Sequence, residues 1–201
     1  MKLKKRLFTR KFFQNLIVLC YNYLENKGGL LMYTDISVFE YASTVLEKLT
    51  PGIFLNTKHN NKINTMIIGW GGITIVWGRP IFIVLVRDSR ATYNLIESSN
   101  EFTISIPISQ SMKKEIALCG TKSFRDIDKF KECNFTPIKG RKIDTPIIAE
   151  AELHYECKVI YKQTLNQDVI LPIVKSRYYN NNANHTVYYG EIIDQYLYKK
   201  E

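Results

Sequence analysis

Short apolar runs broken by turn residues dominate the chain, and they constrain the fold more than any other feature. "IFLNT" (Ile53–Thr57), "INTMIIGW" (Ile63–Trp70) and "IFIVLVR" (Ile81–Arg87) are each strand-sized and rich in β-branched residues. "KHNNK" between the first two carries an Asn pair, so 53–70 reads as a hairpin. "EFTISIPI" alternates as another strand, "PIIAEAELHYECKVIYKQTL" as a long one, and "HTVYYGEIIDQYLY" as a last one interrupted at Gly190. Helical periodicity is confined to shorter pieces. One starts from a cap at Thr34 or Asp35 and runs to about Leu49, with Phe39, Ala42, Leu46 and Leu49 on one face. "TYNLIESS", "SMKKEIALCG" and "RDIDKFKEC" are the others. Strands do not alternate with long helices, which argues against a doubly wound parallel sheet. The expected class is mainly β: an antiparallel, nearly closed barrel of Greek-key type with short inserted helices.

One strand-like segment is unusual. In "INTMIIGWGGITIVWGRP", Gly69, Gly71 and Gly72 surround Trp70. Glycine weakens a strand interior, so a cluster there signals a bend or a close approach.

Charge narrows the function classes. The net charge is +9, but residues 1–27 hold seven cations against Glu25, a net of +6 that leaves +3 for the remainder. A body so nearly balanced gives no basic face for nucleic acid. The apolar stretch near the N-terminus is interrupted by Gln14, Asn15 and Asn22 and falls short of the ~20 residues of a membrane span. Residues 1–32 are expected to be a poorly ordered extension or a start codon set too early, with Met32 the real beginning, and 33–201 to form one domain. Cys20, Cys119, Cys133 and Cys157 form no C-x-x-C pair, which fits reduced thiols in a cytoplasmic protein. His154 and Cys157 in "HYEC" lie three apart on a strand, face opposite sides and cannot share a metal. No metal site is expected.

Three clusters could carry chemistry. "VRDSRATYNLI" brings Arg87, Ser89, Arg90 and Thr92 to a strand-to-helix turn. Guanidinium forks, hydroxyls and the free N–H groups of a helix start together suit an anion such as phosphate. The same residues also read as a plain cap by Ser89 or Thr92 with solvated arginines. "CGTKSFRDIDKF" places Cys119 and Gly120 at a helix end, with Gly120 suited to a left-handed cap. Lys122, Ser123 and Arg125 follow, with Ser123 able to cap a helix from near Asp126. "NHTVYYGE" sets His185 at the start of a strand. No G-x-S-x-G elbow and no G-x-G-x-x-G after a strand occur, so neither nucleophilic hydrolysis nor a Rossmann site is supported.

Taken in order, "NTMIIGWGGI…P", "VRDSRATYNLIESSNEFTISI", "CGTKSFRDIDKF", "EAELHYECKVIY" and "HTVYYGEI" resemble the flavin reductase-like, flavoredoxin-type family of FMN-binding split barrels, over about Leu49 to Tyr198. The resemblance implies an FMN cofactor beside Asn64, Thr65, Met66, Ile67 and Trp70. It implies phosphate at Arg87, Ser89, Arg90 and Thr92, covered by the loop from Cys119 and Gly120 through Lys122, Ser123 and Arg125. It brings His185 and Tyr188 toward the flavin edge at a homodimer interface. It implies a flavin reductase using NAD(P)H, or else an electron carrier reduced by a protein partner, with no side chain serving as a catalytic acid or base. The chain departs from the family pattern at Ile67 and Gly69, where relatives often have Thr and Ser. It departs again at Phe124, usually Gly, and at Ala91, usually aromatic. Ring contacts at 67 and 69 are therefore expected to come from backbone.

Overall fold

The computed structural model describes residues 32–180 and 184–200. The expectation about the N-terminal extension lies outside the described residues.

The apolar runs form the strands read from sequence. β2 (Ile53–His59) and β3 (Lys62–Ile68) make the expected hairpin, turned at Asn60 with φ 53°. β4 (Gly71–Val76) and β5 (Arg79–Arg87) make a second. Their two-residue loop has positive φ at both Trp77 (52°) and Gly78 (70°), the turn whose twist matches that of the flanking strands. α2 (Ala91–Ser99) leads to β6 (Glu101–Ile106). α3 (Lys113–Thr121) and α4 (Lys129–Glu132) precede a small ribbon of β7 (Pro137–Lys139) and β8 (Pro146–Ile148). β9 (Leu153–Thr164), α5 (Pro172–Tyr178) and β10 (His185–Tyr198) complete the chain.

The large sheet is antiparallel throughout, in the order β3-β2-β6-β9-β10-β5-β4. Its two end strands, β3 and β4, are consecutive in the chain and separated only by Gly69 and Trp70. The sheet must therefore curl until its ends nearly meet, giving a barrel that is split rather than closed. β10 shows the split directly. Its first half pairs with β5 (His185↔Arg87 to Glu191↔Ile81), while its last residues pair with β1 (Tyr33–Asp35).

Burial explains why these segments hold. Phe82, Phe102, Ile104, Tyr155 and Val84 fill the barrel interior, each fully buried. Each such apolar side chain contributes about 1.5–3 kcal/mol relative to exposure. A second cluster, Phe54, Met112, Cys119, Phe130, Phe135 and Ile148, seats α3 and α4 on the outer face of β3. Phe54 and Phe135 meet edge to face at 5.3 Å.

Several local expectations are corrected. The first helix is only α1 (Ala42–Leu49), because Tyr33–Asp35 is drawn into the sheet beside β10. Val45 and Leu49 are its buried positions, whereas Phe39 and Leu46 are exposed. β6 does not alternate between core and water. Thr103 and Ser105 are fully buried because the β7–β8 ribbon covers that face. Thr103 Oγ1 donates to Pro146 O (2.6 Å), and Asn56 Nδ2 donates to Ser105 Oγ (2.9 Å). β10 is continuous. Its glycine marks a register shift between Tyr189 and Gly190, where a Cβ would lie 2.4 Å from Phe102 Cζ.

Candidate functional site

Two neighbouring hollows share Met66, Ile67 and Arg90 and form one groove beside β3. Their cavity volumes are about 130 and 370 Å³, the second within the ~300–1,000 Å³ usual for small-molecule sites.

One end of the groove is cationic. β5 ends at Arg87, and the turn that follows closes with Arg90 N donating to Arg87 O at 3.0 Å. Arg90, extended with ψ 139°, is the N-cap of α2, and no side chain caps that helix. Neither Ser89 nor Thr92 plays the plain-cap role that their composition allows. Thr92 Oγ1 instead accepts from Asn64 Nδ2 (2.7 Å), tying the helix start to β3. The helix start is therefore left with N–H groups and a partial positive charge facing the groove. Lys122, Ser123 and Arg125 line the opposite lip. Arg125 Nη1 donates to Ser89 O (3.1 Å), which joins the two lips.

Between α3 and α4 the details differ from expectation. Gly120 lies within α3 rather than capping it in a left-handed conformation. It still lines the groove, and a Cβ there would sit 3.6 Å from Ile67 Cβ. Ser123 Oγ accepts from Arg125 N (3.1 Å) in a turn, and the cap of α4 is Asp128, which accepts from Phe130 N and Lys131 N.

The other end of the groove is apolar and aromatic. Met66, Ile67, Ile68, Gly69, Trp70 and Leu85 line it, with Arg87 and His185 at its margin. Trp70 packs against His185 (centroids 4.9 Å apart) and meets Tyr178 edge-on (5.1 Å). Arg87 Nε donates to His185 Nε2 (3.4 Å), and Arg87 Nη2 to Tyr178 O (2.9 Å). A nitrogen that accepts from a guanidinium carries no proton, so the neutral ring holds its proton on Nδ1, 3.1 Å from the Tyr179 hydroxyl. Burial, followed by the nearby Arg87 charge, pushes the His185 pKa down to about 4. His185 is thus neutral near pH 7.

Two residues expected at the site stand apart from it. Tyr188 is fully buried in the barrel core, and its hydroxyl donates to Glu97 Oε1 (2.8 Å). The strand alternation that separates His154 from Cys157 separates His185 from Tyr188 as well, so the signal was present. Thr65 is also fully buried; only its carbonyl is engaged near the site, accepting from Lys129 Nζ (2.9 Å). Cys119 lines the groove as a buried thiol, its pKa pushed up to about 12 first by burial.

Lys129 is the residue that sequence reasoning missed. It is 4% exposed, lines the groove, and bridges Thr65 O to Cys119 O (2.8 Å). Burial lowers its pKa. In "DIDKFKEC" it looks like any solvated helix lysine; only the Asp128 cap, which sets it at the first helical position, hinted at its direction. Among the described residues no group of three or more His, Cys, Asp and Glu could hold a metal. His154 is committed to structure, with Nδ1 3.1 Å from Ser105 Oγ and Nε2 3.0 Å from Ala151 O. No helix among the described residues is long and apolar enough to cross a membrane.

These features define a mostly antiparallel split barrel with a groove that is cationic at one end and apolar at the other. The chain belongs to the family of the flavin reductase like domain, whose model matches residues 55–200. An uncharacterised protein of Pyrococcus abyssi is 28% identical over 144 residues, covering 71% of this chain and 70% of that one. Flavoredoxin of Desulfovibrio vulgaris (Miyazaki F) matches with TM-score 0.58 and 27% identity, over 73% of this chain and 68% of its own. Flavoredoxin from Methanosarcina acetivorans matches with TM-score 0.56 and 27% identity, over 76% and 69%. An FMN-binding domain of a flavin reductases-like enzyme from Shewanella baltica shares the fold at TM-score 0.59 and 17% identity, over 82% and 76%.

Proposed function

We propose that this chain binds FMN in the groove and works as an oxidoreductase, an NAD(P)H-dependent flavin reductase or a flavoredoxin-type protein. The observation that carries the reading is the uncapped start of α2, set between Arg90 on one side and Lys122 and Arg125 on the other. That donor set suits a phosphate dianion. The remainder of the groove suits a flat ring: Met66, Ile67 and Leu85 offer apolar contact and Trp70 an aromatic edge. Asn64 Oδ1 is buried and has no hydrogen-bond partner, an acceptor in the groove wall ready for a ligand N–H or hydroxyl. The residues therefore fit the cofactor that the family implies.

Bound FMN would supply one- and two-electron chemistry. The chain's own residues bind, orient and set charge. Arg90, Lys122, Arg125 and Ser89 would hold the phosphate, and the Arg87 charge at the margin of the apolar end would favour a reduced, anionic ring. His185 keeps its proton on Nδ1 and, neutral near pH 7, is not placed to deliver one. Gly69 offers only backbone to the ring, consistent with its departure from relatives.

The absorption spectrum of the purified protein, with and without added FMN, tests the reading. A flavin spectrum, or saturable uptake of FMN, supports it; neither one overturns it. Arg90→Ala should weaken FMN binding at least 10-fold, and an unchanged Kd would remove the phosphate assignment. The electron-carrier alternative is favoured if dialysed protein stays yellow and oxidises neither NADH nor NADPH. Turnover of either nucleotide with added FMN favours the reductase. We further propose a homodimer in the cytoplasm. The exposed Trp77 and Tyr161, whose rings lie 5.9 Å apart, support the dimer, and light scattering tests it.

A further inference from the structure

We propose that Cys119 and Cys133 are a modification site: an oxidisable dithiol whose disulfide clamps the wall of the groove. Their sulfur atoms lie 3.7 Å apart, and both thiols are free. The pair is held together by specific contacts. Lys129 Nζ grips the Cys119 carbonyl (2.8 Å), while Cys133 N donates to the Lys129 carbonyl (3.1 Å). One residue thus ties the end of α3 to the end of α4. Phe130 and Phe135, whose rings lie 6.2 Å apart, close the apolar side of the same cluster.

The two thiols differ in access. Cys119 is buried and lines the groove, whereas Cys133 is half-buried. A hydroperoxide therefore meets Cys133 first. The peroxide oxygen transfers to the Cys133 sulfur, giving the sulfenic acid and water. The Cys119 sulfur then attacks that sulfur and expels a second water, leaving the disulfide. One hydrogen peroxide is reduced, two thiols are oxidised, and two waters form. Burial raises both thiol pKa values, so the reaction is slow compared with that of a dedicated peroxidatic cysteine.

The loop that this bond closes contains Gly120, Lys122, Ser123, Phe124, Arg125 and Lys129, the lip of the groove opposite the start of α2. Cross-linking its ends restrains the unfolded chain and pre-organises the lip. The expected result is a more stable protein that releases flavin more slowly. The second consequence rests on the proposed FMN site; the bond itself does not.

The test uses the full chain with Cys20→Ser, so that Cys20 cannot compete. Hydrogen peroxide should lower the mass by two hydrogens, and peptide mapping should join Cys119 to Cys133 while Cys157 stays reduced. Tm should rise by about 5 °C or more, and dithiothreitol should reverse it. Cys133→Ser should abolish both changes while leaving FMN uptake by the reduced protein within twofold. Failure to form the bond, or a bond to Cys157, overturns the proposal. If the bond forms and Tm rises but the FMN off-rate stays unchanged, the clamp on flavin release is overturned. Absence of FMN uptake in the reduced protein instead overturns the cofactor reading and leaves the dithiol result standing.

Discussion

Arg87 donates from Nε to Nε2 of His185 across 3.4 Å, and this contact decides which ring nitrogen carries the proton. The pair joins β5 to β10 at the first rung of their ladder, His185↔Arg87. Burial and then the Arg87 charge take the histidine pKa from 6.5 to about 4. A histidine lowered in the fold binds fewer protons there than in the unfolded chain. Its contribution to stability is complete above pH 6.5 and is lost as pH falls toward 4. His154, lowered to about 3 by burial, acts in the same direction to still lower pH. Denaturant midpoints should therefore fall steadily from pH 6.5 to 4. In Arg87→Met, NMR titration of the His185 ring should show its pKa rising only part of the way to 6.5, since burial remains. An unchanged value would mean that the Arg87 charge plays no part.

Lys129→Met should destabilise the protein by about 2–4 kcal/mol. It removes the donor shared by the Thr65 and Cys119 carbonyls and leaves two buried acceptors unpaired. Urea unfolding measures the loss. A change below about 0.5 kcal/mol would show that the buried ammonium costs as much as its bonds return.

Gly71→Ala and Gly78→Ala should differ sharply. At Gly71 (φ +140°) a Cβ would lie 2.1 Å from the Ile83 carbonyl oxygen, on the neighbouring strand. No side chain can yield there, so a loss above about 3 kcal/mol is expected. Gly78 (φ +70°) faces open space, and only the left-handed backbone penalty of about 1 kcal/mol applies. Thermal melts of both variants check the contrast.

Glu156→Gln should cost at least about 3 kcal/mol. The fully buried carboxylate accepts from Arg141 N (2.6 Å), Lys142 N (2.8 Å), Ile143 N (3.1 Å) and the Tyr196 hydroxyl (2.7 Å). An amide would turn an NH₂ group toward backbone N–H donors and lose charge-assisted bonds. Chemical denaturation gives the difference.

Much of the site was legible because its signals are local. A strand ending in Arg87, a short turn and a helix opening at Thr92, one residue after its observed start, follow from neighbouring residues, and so does the anion chemistry of that turn. The glycines near Trp70 also announced a bend. The close approach they also signal is to other parts of the protein itself. Gly71 admits the Ile83 backbone, and a Cβ on Gly72 (φ +147°) would lie 3.3 Å from Leu46 Cδ2, so both serve packing within the protein. Of the three, Gly69 is the one that lines the groove.

The sequence by itself determined the strands, the mainly β class, the cationic turn and the family pattern, because period, turn chemistry and charge act within a few residues. Only the tertiary structure decided that β3 and β4, adjacent in the chain, stand at opposite ends of one curled sheet. It alone brought Lys129 inward between two carbonyls. Those outcomes depend on sheet curvature and on which helix covers which face. They are set by contacts between residues tens of positions apart, which no local pattern contains.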